Sequence, residues 1–366
     1  MKQLPLLDFT SKLFDKAEFD DYVVVACQHL LPTNFIMFNY LFKKGLKPKN
    51  TFIIGKNYST HQPVVKSFEK QGVYIHKYNY SSHKSFEKQF DQAISEFIEA
   101  ISNRLKDSGK KIIILDDGGR LIELIAKYKN LKIFSAVEQT TSGYEKINKL
   151  NLKFPVINVA RSQAKLLLES PYIARAVAKV LKEKLDSSKT SSKNILIIGK
   201  GSIGSALQSV LESEFNPSAY DIDTNKSDFT NQELLKILPN FDIIIGCTGK
   251  TVLTLKDKKY FKNTVILASS SSADKEFEAV KFRLFAPINN NPHQDIKLKG
   301  ITLLNSGFPL NFQGTEIEDW KEIQLTRALM FSAICISVIH KYRNGIVELD
   351  EKIQQQISEN YAKITN

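Results

Sequence analysis

Three glycines, Gly199, Gly201 and Gly204, stand in the spacing G-x-G-x-x-G directly after the apolar, β-branched run Asn194 to Ile198. A strand, a glycine turn and a helix in that register form a cradle for a nucleotide diphosphate. Gly199 permits the tight turn, Gly201 lets the backbone approach a pyrophosphate, and Gly204 lets the helix over Ser205 to Leu211 pack on the sheet. Ser202 and Ile203 lie where the free N–H groups and the positive end of the helix dipole meet the phosphates. A second apolar step ends at Tyr220 and Asp221. A carboxylate there accepts hydrogen bonds from a ribose 2′-hydroxyl and repels a 2′-phosphate, which favours NAD over NADP. The alternative gives the glycines a packing role only.

Other chemistry-bearing residues follow apolar runs in the first half of the chain. His29 follows Tyr22 to Ala26, Asp116-Asp117-Gly118-Gly119 follows Ile112 to Leu115, and Glu138-Gln139-Thr140-Thr141-Ser142-Gly143 follows Ile133 to Val137. Strands that deliver acids, hydroxyls and glycines to one rim build a site. Any one of these segments could equally be a helix cap, but three together favour a site. Lys165 and Glu169 are four residues apart and share a helix face, as a surface ion pair or as an acid/base pair. In the second half, Thr248 lies in Gly246-Cys247-Thr248-Gly249 after Ile243 to Ile245, and Ala268 precedes four serines. Both place small residues where a strand would meet a cofactor. Asn311 lies in the turn-rich loop Asn305 to Phe312.

Alternating strands and helices must position these groups. An N-terminal helical arm over residues 1 to 20 precedes strands at Tyr22 to Ala26, Asn50 to Gly55, Val73 to Tyr78, Lys111 to Leu115, Lys132 to Val137 and Phe154 to Val159. Helical patterns run over Thr33 to Phe42, Ser85 to Leu105, Leu121 to Lys127 and Ile173 to Leu185. That alternation predicts an α/β protein with two doubly wound parallel-sheet domains. The first, over residues 1–185 plus 319–366, would bind substrate. A polar hinge over 186–193 leads to a Rossmann domain over 194–318, and the helix Asp319 to Tyr342 returns to the first.

The 366 residues are 42% apolar and 25% charged, with no run of eighteen apolar residues and no signal peptide, which points to a soluble cytoplasmic protein with no membrane contact. Cys27, Cys247 and Cys335 form no C-x-x-C or His/Cys grouping, so neither a disulfide framework nor a metal site is expected. The net charge of +12 raises the question of nucleic acid. Its lysines are scattered without interleaved aromatics, so a solvated surface is the expectation, and an anionic small substrate remains compatible.

Taken together, the segments from about Asp21 to Tyr342 resemble S-adenosylhomocysteine hydrolase. Ala26-Cys27-Gln28-His29 is similar to that family's A-C-L-H, Ile114 to Gly119 to its I-L-D-D-G-G, and Glu138 to Gly143 to its E-E-T-T-T-G. Pro155 to Val159 resembles its P-A-I-N-V, with Lys165 at the family's lysine. Gly199 to Gly204 stands where it has G-Y-G-D-V-G, and Tyr220 to Asp223 where it has T-E-I-D. The resemblance implies a tightly held NAD that oxidises the 3′-hydroxyl of an adenosine-like substrate, elimination of homocysteine, addition of water and return of the hydride. It further implies that Asp116 binds the sugar, that Lys165 helps deprotonate the hydroxyl, and that Thr140, Thr141 and Ser142 hold the nicotinamide end. A homo-oligomer, dimer or tetramer, is expected.

The departures fall mainly on the substrate side. Gln139 replaces the second acid of E-E-T-T-T-G and cannot ionise. Glu169 and Ser170 stand for the family's aspartate and asparagine, and Ala174 for its cysteine near the hinge. Ser271 to Asp274 and Leu310 to Asp319 each lack a histidine, while Asn311 is kept. The adenine-holding threonine and glutamate fall at Leu31 and Thr33, and the sequence reaches Asn366 without the lysine- and tyrosine-bearing tail. Loss of a proton-transfer group typically costs about 10²- to 10⁴-fold, so three readings stay open. In the favoured one, NAD oxidises a hydroxyl of a different nucleoside- or sugar-like ligand, with Lys165 as base and Asp116, Glu169, His29 and Gln139 around the substrate. A silent NAD- or nucleoside-binding protein comes next, and ordinary homocysteine release last.

Overall fold

The β-branched runs become strands in the computed structural model, which describes residues 3–365 apart from 189, 190, 192, 230–232 and 288. In chain order they are β1 (Tyr22–Leu30), β2 (Thr51–Thr60), β3 (Tyr74–His76), β4 (Lys111–Asp116), β5 (Ile133–Glu138), β6 (Pro155–Asn158), β7 (Asn194–Ile198), β8 (Asn216–Tyr220), β9 (Ile243–Gly246), β10 (Val265–Ser269), β11 (Ile296–Leu298), β12 (Ile301–Leu303) and β13 (Gly345–Glu348). The chain divides into two compact units. One holds residues 1–79, 90–169 and 319–366, the other residues 80–89 and 170–318.

The first unit carries a seven-stranded sheet in the order β13-β6-β5-β4-β1-β2-β3, and every neighbouring pair is parallel. All nine residues of β1 are buried, as a strand covered by helices on both faces requires. From β1 the chain builds outward through β2 and β3, then returns to the other side of β1 with β4. Open parallel sheets bind ligands at such a switch point, outside the carboxyl ends of the strands. The ends of β1 and β4 carry His29 and Asp116-Asp117. The helix Trp320–Ile339 is long and apolar enough to cross a membrane by composition, but 83% of that window is buried inside the protein. Asp319 caps it by accepting from the Lys321 N–H at 2.7 Å. Ser337 on its last turn donates to a carbonyl one turn back and meets Ser135 of β5 at 3.0 Å. The edge strand β13 and the helix Glu351–Thr365 complete this unit.

The second unit carries a six-stranded sheet in the order β11-β12-β10-β9-β7-β8, parallel except for β11 against β12. Here the switch point is β7, flanked by β8 and β9. Leu196, Ile198, Ile244 and Leu267 pack one face of the sheet; Ile195, Ile197, Ile243 and Ala268 pack the other.

A single helix, Gln163–Ser187, runs through the stretch where the sequence placed a start at Ile173, and it keeps Pro171 inside it. The expected hinge begins in the last turn of this helix, and its residues 189, 190 and 192 lie outside the described residues. Together the two units make the α/β architecture expected, with parallel sheets in both.

Candidate functional site

In the second unit, β7 ends at Ile198 and the chain turns at Gly199, whose φ of +99° suits glycine and few other residues. Its N–H donates to the Tyr220 carbonyl at 2.8 Å and ties the turn to β8. Gly201 caps the helix Ser202–Leu211, and the first helical hydrogen bond runs from the Ser205 N–H to the Gly201 carbonyl at 2.9 Å. The N–H groups of Ser202, Ile203 and Gly204 therefore lie ahead of the helical ladder. A Cβ on Gly204 would overlap the Gly199 carbonyl oxygen, whereas no atom lies within 4 Å of where a Cβ on Gly201 would stand. One glycine serves packing and the other faces open space.

Asp221 braces this turn. Its carboxylate accepts from the Lys200 N–H at 2.7 Å and from the Asp223 N–H at 2.9 Å. Thr248 lies beyond β9, and its N–H and hydroxyl both donate to Glu276, at 2.7 and 2.9 Å. Glu276 also accepts from the Gly249 N–H at 2.6 Å and the Ser271 hydroxyl at 2.5 Å. This buried carboxylate gathers the loops that leave β9 and β10, and burial pushes its acidity down, raising its pKa. No periodicity or motif distinguished Glu276 in the sequence. Asn311 donates to Glu318 at 2.9 Å. Its loop is held by Asn305, a left-handed residue whose amide donates to the carbonyls of Pro309 and Phe312 at 3.2 and 3.1 Å.

In the first unit, a buried polar network occupies the carboxyl rim. Asp117 stands at its centre. One of its oxygens takes the Lys56 ammonium; the other takes the Gln139 amide and lies 3.2 Å from His29 Nε2. His29 Nδ1 is hydrogen-bonded to the Ser59 hydroxyl. Burial and the Lys56 charge lower the pKa of His29 against the pull of Asp117, while Lys56 and His29 hold Asp117 well below the usual carboxylate range despite its burial. Gln139 Oε1 is buried with no hydrogen-bond partner in the protein, and so is Asp116 Oδ1.

Asp116 has a different setting from its neighbour. It is fully buried, its other oxygen accepts from the Ile122 N–H at 2.8 Å, and burial pushes its pKa up to about 6. It pairs in register with Glu138 on β5. Glu138 accepts from the N–H groups of Gly118, Gly119 and Thr140 and from the Thr140 hydroxyl, at 2.7 to 3.2 Å. Burial, with Asp116 beside it, pushes its pKa up to about 8. Thr140 caps the helix Thr141–Ile147 by accepting from the Gly143 N–H at 3.0 Å, and Thr141 and Ser142 are exposed on its first turn. Lys165 and Glu169 form a second group: the ammonium donates to one carboxylate oxygen at 2.5 Å, and the Thr326 hydroxyl donates to the other at 2.7 Å.

The structure thus joins His29 and Gln139 in one network, whose centre, Asp117, the sequence offered only within the segment Asp116 to Gly119, and whose cation, Lys56, it did not single out. Lys56 had a signal: a lone lysine directly after the apolar run Phe52 to Gly55. Among the described residues, no group of three or more metal-ligating side chains is present.

These features define a two-unit α/β protein with a glycine-turn cradle at one switch point and a buried polar rim at the other. Over 324 residues the chain is 37% identical to two uncharacterized proteins of Mycobacterium tuberculosis; the match covers 86% of this chain and 64% of each relative. The chain therefore spans less than two thirds of their length. Among solved structures it is similar to 3-phosphoglycerate dehydrogenase of Entamoeba histolytica with NAD bound, at a TM-score of 0.47 and 13% identity, over 89% of this chain and 100% of that one. It is also similar to NAD-dependent formate dehydrogenase of Staphylococcus aureus, at 0.42 and 10%, over 86% and 93%. No family model matches the sequence.

Proposed function

We propose that the chain is an NAD-binding, adenosylhomocysteinase-like oxidoreductase that oxidises a hydroxyl group, transiently or as a net reaction, on a nucleoside- or sugar-like ligand. The observation that carries this reading is the turn from Gly199 to Gly204 at the β7 switch point. It offers free helical N–H groups, open space above Gly201, and Asp221 at the end of β8. These residues fit a dinucleotide: the N–H groups of Ser202, Ile203 and Gly204 would hold the diphosphate, Asp221 the adenosine ribose, and the Thr248 and Asn311 loops the nicotinamide end. Bound there, NAD would supply the hydride acceptor.

In the first unit the ligand's hydroxyls would bind at the carboxyl rim. Gln139 Oε1 is a buried acceptor awaiting a donor, and an unmet buried acceptor costs about 1–3 kcal/mol, so a ligand hydroxyl is favoured there. Asp117 already takes three protein donors and Gln139 cannot ionise, so the proton is assigned to the Lys165–Glu169 pair, with Asp116, whose Oδ1 has no partner in the protein, orienting the hydroxyl. Glu169 would take a proton from the Lys165 ammonium, and the neutral amine so formed would take the hydroxyl proton as the hydride leaves the same carbon.

The saturation of Asp117 favours a second reading, a binding protein without turnover. Release of homocysteine is less well supported, because Gln139 stands where the resembling family has a second acid and the histidines of two of its segments are absent. Native mass spectrometry with NAD, followed by a nucleoside panel scored by NADH absorbance, separates the readings. Bound NAD that a nucleoside reduces supports the enzyme; bound NAD that nothing reduces supports the silent protein; free thiol from S-adenosylhomocysteine would restore the hydrolase. The same spectra test the homo-oligomer that this reading includes.

A further inference from the structure

Lys56 is 6% exposed in the middle of β2, directly after Gly55, which pairs with Gln28 of β1, and its ammonium is bonded to Asp117. An isolated buried ammonium is strongly disfavoured, so this cation persists because the carboxylate is there. The groups around the pair come from every neighbouring element. They are Cys27 and His29 of β1, Tyr58 of β2, Tyr78, Asp116 of β4, Glu138 of β5, Lys146 of the Thr141–Ile147 helix and Arg327 of the Trp320–Ile339 helix.

We propose that Lys56 is a positioning residue for the rim: its ammonium fixes Asp117 as a carboxylate, and that carboxylate orients both His29 and Gln139. An ionised Asp117 only accepts hydrogen bonds. The nitrogen of His29 that faces it, Nε2, must therefore carry the proton, and a neutral ring then presents Nδ1 as an acceptor to the Ser59 hydroxyl. The same logic turns the amide of Gln139 toward Asp117 and leaves its Oε1 facing the other way as the unpartnered acceptor. One lysine thus sets the tautomer of a histidine and the polarity of a glutamine through a single carboxylate. The inference rests on the reading of this rim as the ligand site, but its signature lies in the free protein.

The test is histidine-selective ¹⁵N NMR of the full chain, with the His29 signal assigned by His29→Gln. Wild type at pH 7 should show a neutral ring protonated on Nε2. In Lys56→Met the carboxylate loses its counter-charge, and His29 should become imidazolium with a midpoint above its ordinary value of about 6.5. Lys56→Arg should keep the wild-type signature, and Lys56→Met with Asp117→Asn, which removes both charges, should return the ring to neutral. An imidazolium or Nδ1-protonated ring in wild type overturns the proposal, as does a folded Lys56→Met protein whose His29 signal is unmoved. If Lys56→Met does not fold, the wild-type tautomer decides. None of these spectra depends on NAD, so failure of cofactor binding and failure of this inference are read separately.

Discussion

The start of the Ser202–Leu211 helix packs so closely on the preceding turn that a Cβ on Gly204 would overlap the carbonyl oxygen of Gly199. At Gly201, by contrast, nothing stands within 4 Å, so two glycines of one motif have separable roles. Gly204→Ala should destabilise the protein by about 1–3 kcal/mol, the cost of overpacking, as read by urea unfolding. Gly201→Val, at the helix cap, should cost less stability than Gly204→Ala and weaken NAD binding by at least about tenfold, or ~1.4 kcal/mol, as read by calorimetry. Equal effects of the two substitutions on stability would remove the distinction.

Asp221 accepts from the N–H groups of Lys200 and Asp223, so its carboxylate is held at the end of β8. If it meets a ribose 2′-hydroxyl, wild type should bind NAD in preference to NADP, and Asp221→Ser should narrow that preference by about tenfold or more. Parallel titrations with the two nucleotides measure it, and an unchanged ratio would move the ribose elsewhere.

Glu138 gives stability a pH dependence of defined sign. Its pKa in the fold, about 8, lies above its ordinary 4.5. The unfolded chain therefore sheds this proton first as pH rises, and the stabilisation present in acid is lost between about 4.5 and 8. Asp116, buried beside it and raised likewise, acts in the same sense. The histidines with lowered pKa values, His29, His76 and His293, act in the opposite sense and below 6.5. Between pH 7 and 8 stability should fall by up to about 1.4 kcal/mol per unit, and Glu138→Gln should flatten that slope. Urea midpoints at pH 7 and 8 decide it; equal slopes in the two proteins would contradict the assignment.

Lys165 donates to Glu169 at 2.5 Å, and the proposed proton transfer runs through this pair. Lys165→Met should lower the rate of ligand-dependent NAD reduction by about 10²- to 10⁴-fold, while leaving NAD affinity within about twofold. An unaltered rate would transfer the base to another group.

The strand of the glycine motif was legible to the residue, Asn194 to Ile198, because an unbroken β-branched run before a glycine turn has few other ways to fold. The helix Gln163–Ser187 was not, because a proline inside a helix reads as a boundary when tertiary packing is unseen. The edge strand β13 and the helix Glu351–Thr365 carry short or weak patterns that only their packing makes visible. Within the rim, period-two alternation could have separated Asp116 from Asp117: the last residue of a strand and the first beyond it face different surroundings. Which one meets Lys56 depends on the register of β1 against β2 and β4, and no local spacing encodes that.

The most direct measurement is native mass spectrometry of the purified chain with and without added NAD, with the Gly201→Val protein as control. One NAD per chain in wild type and its loss in the variant is the predicted result. No adduct in wild type at millimolar NAD, or an equal adduct in both proteins, would contradict the dinucleotide cradle on which the proposed activity stands.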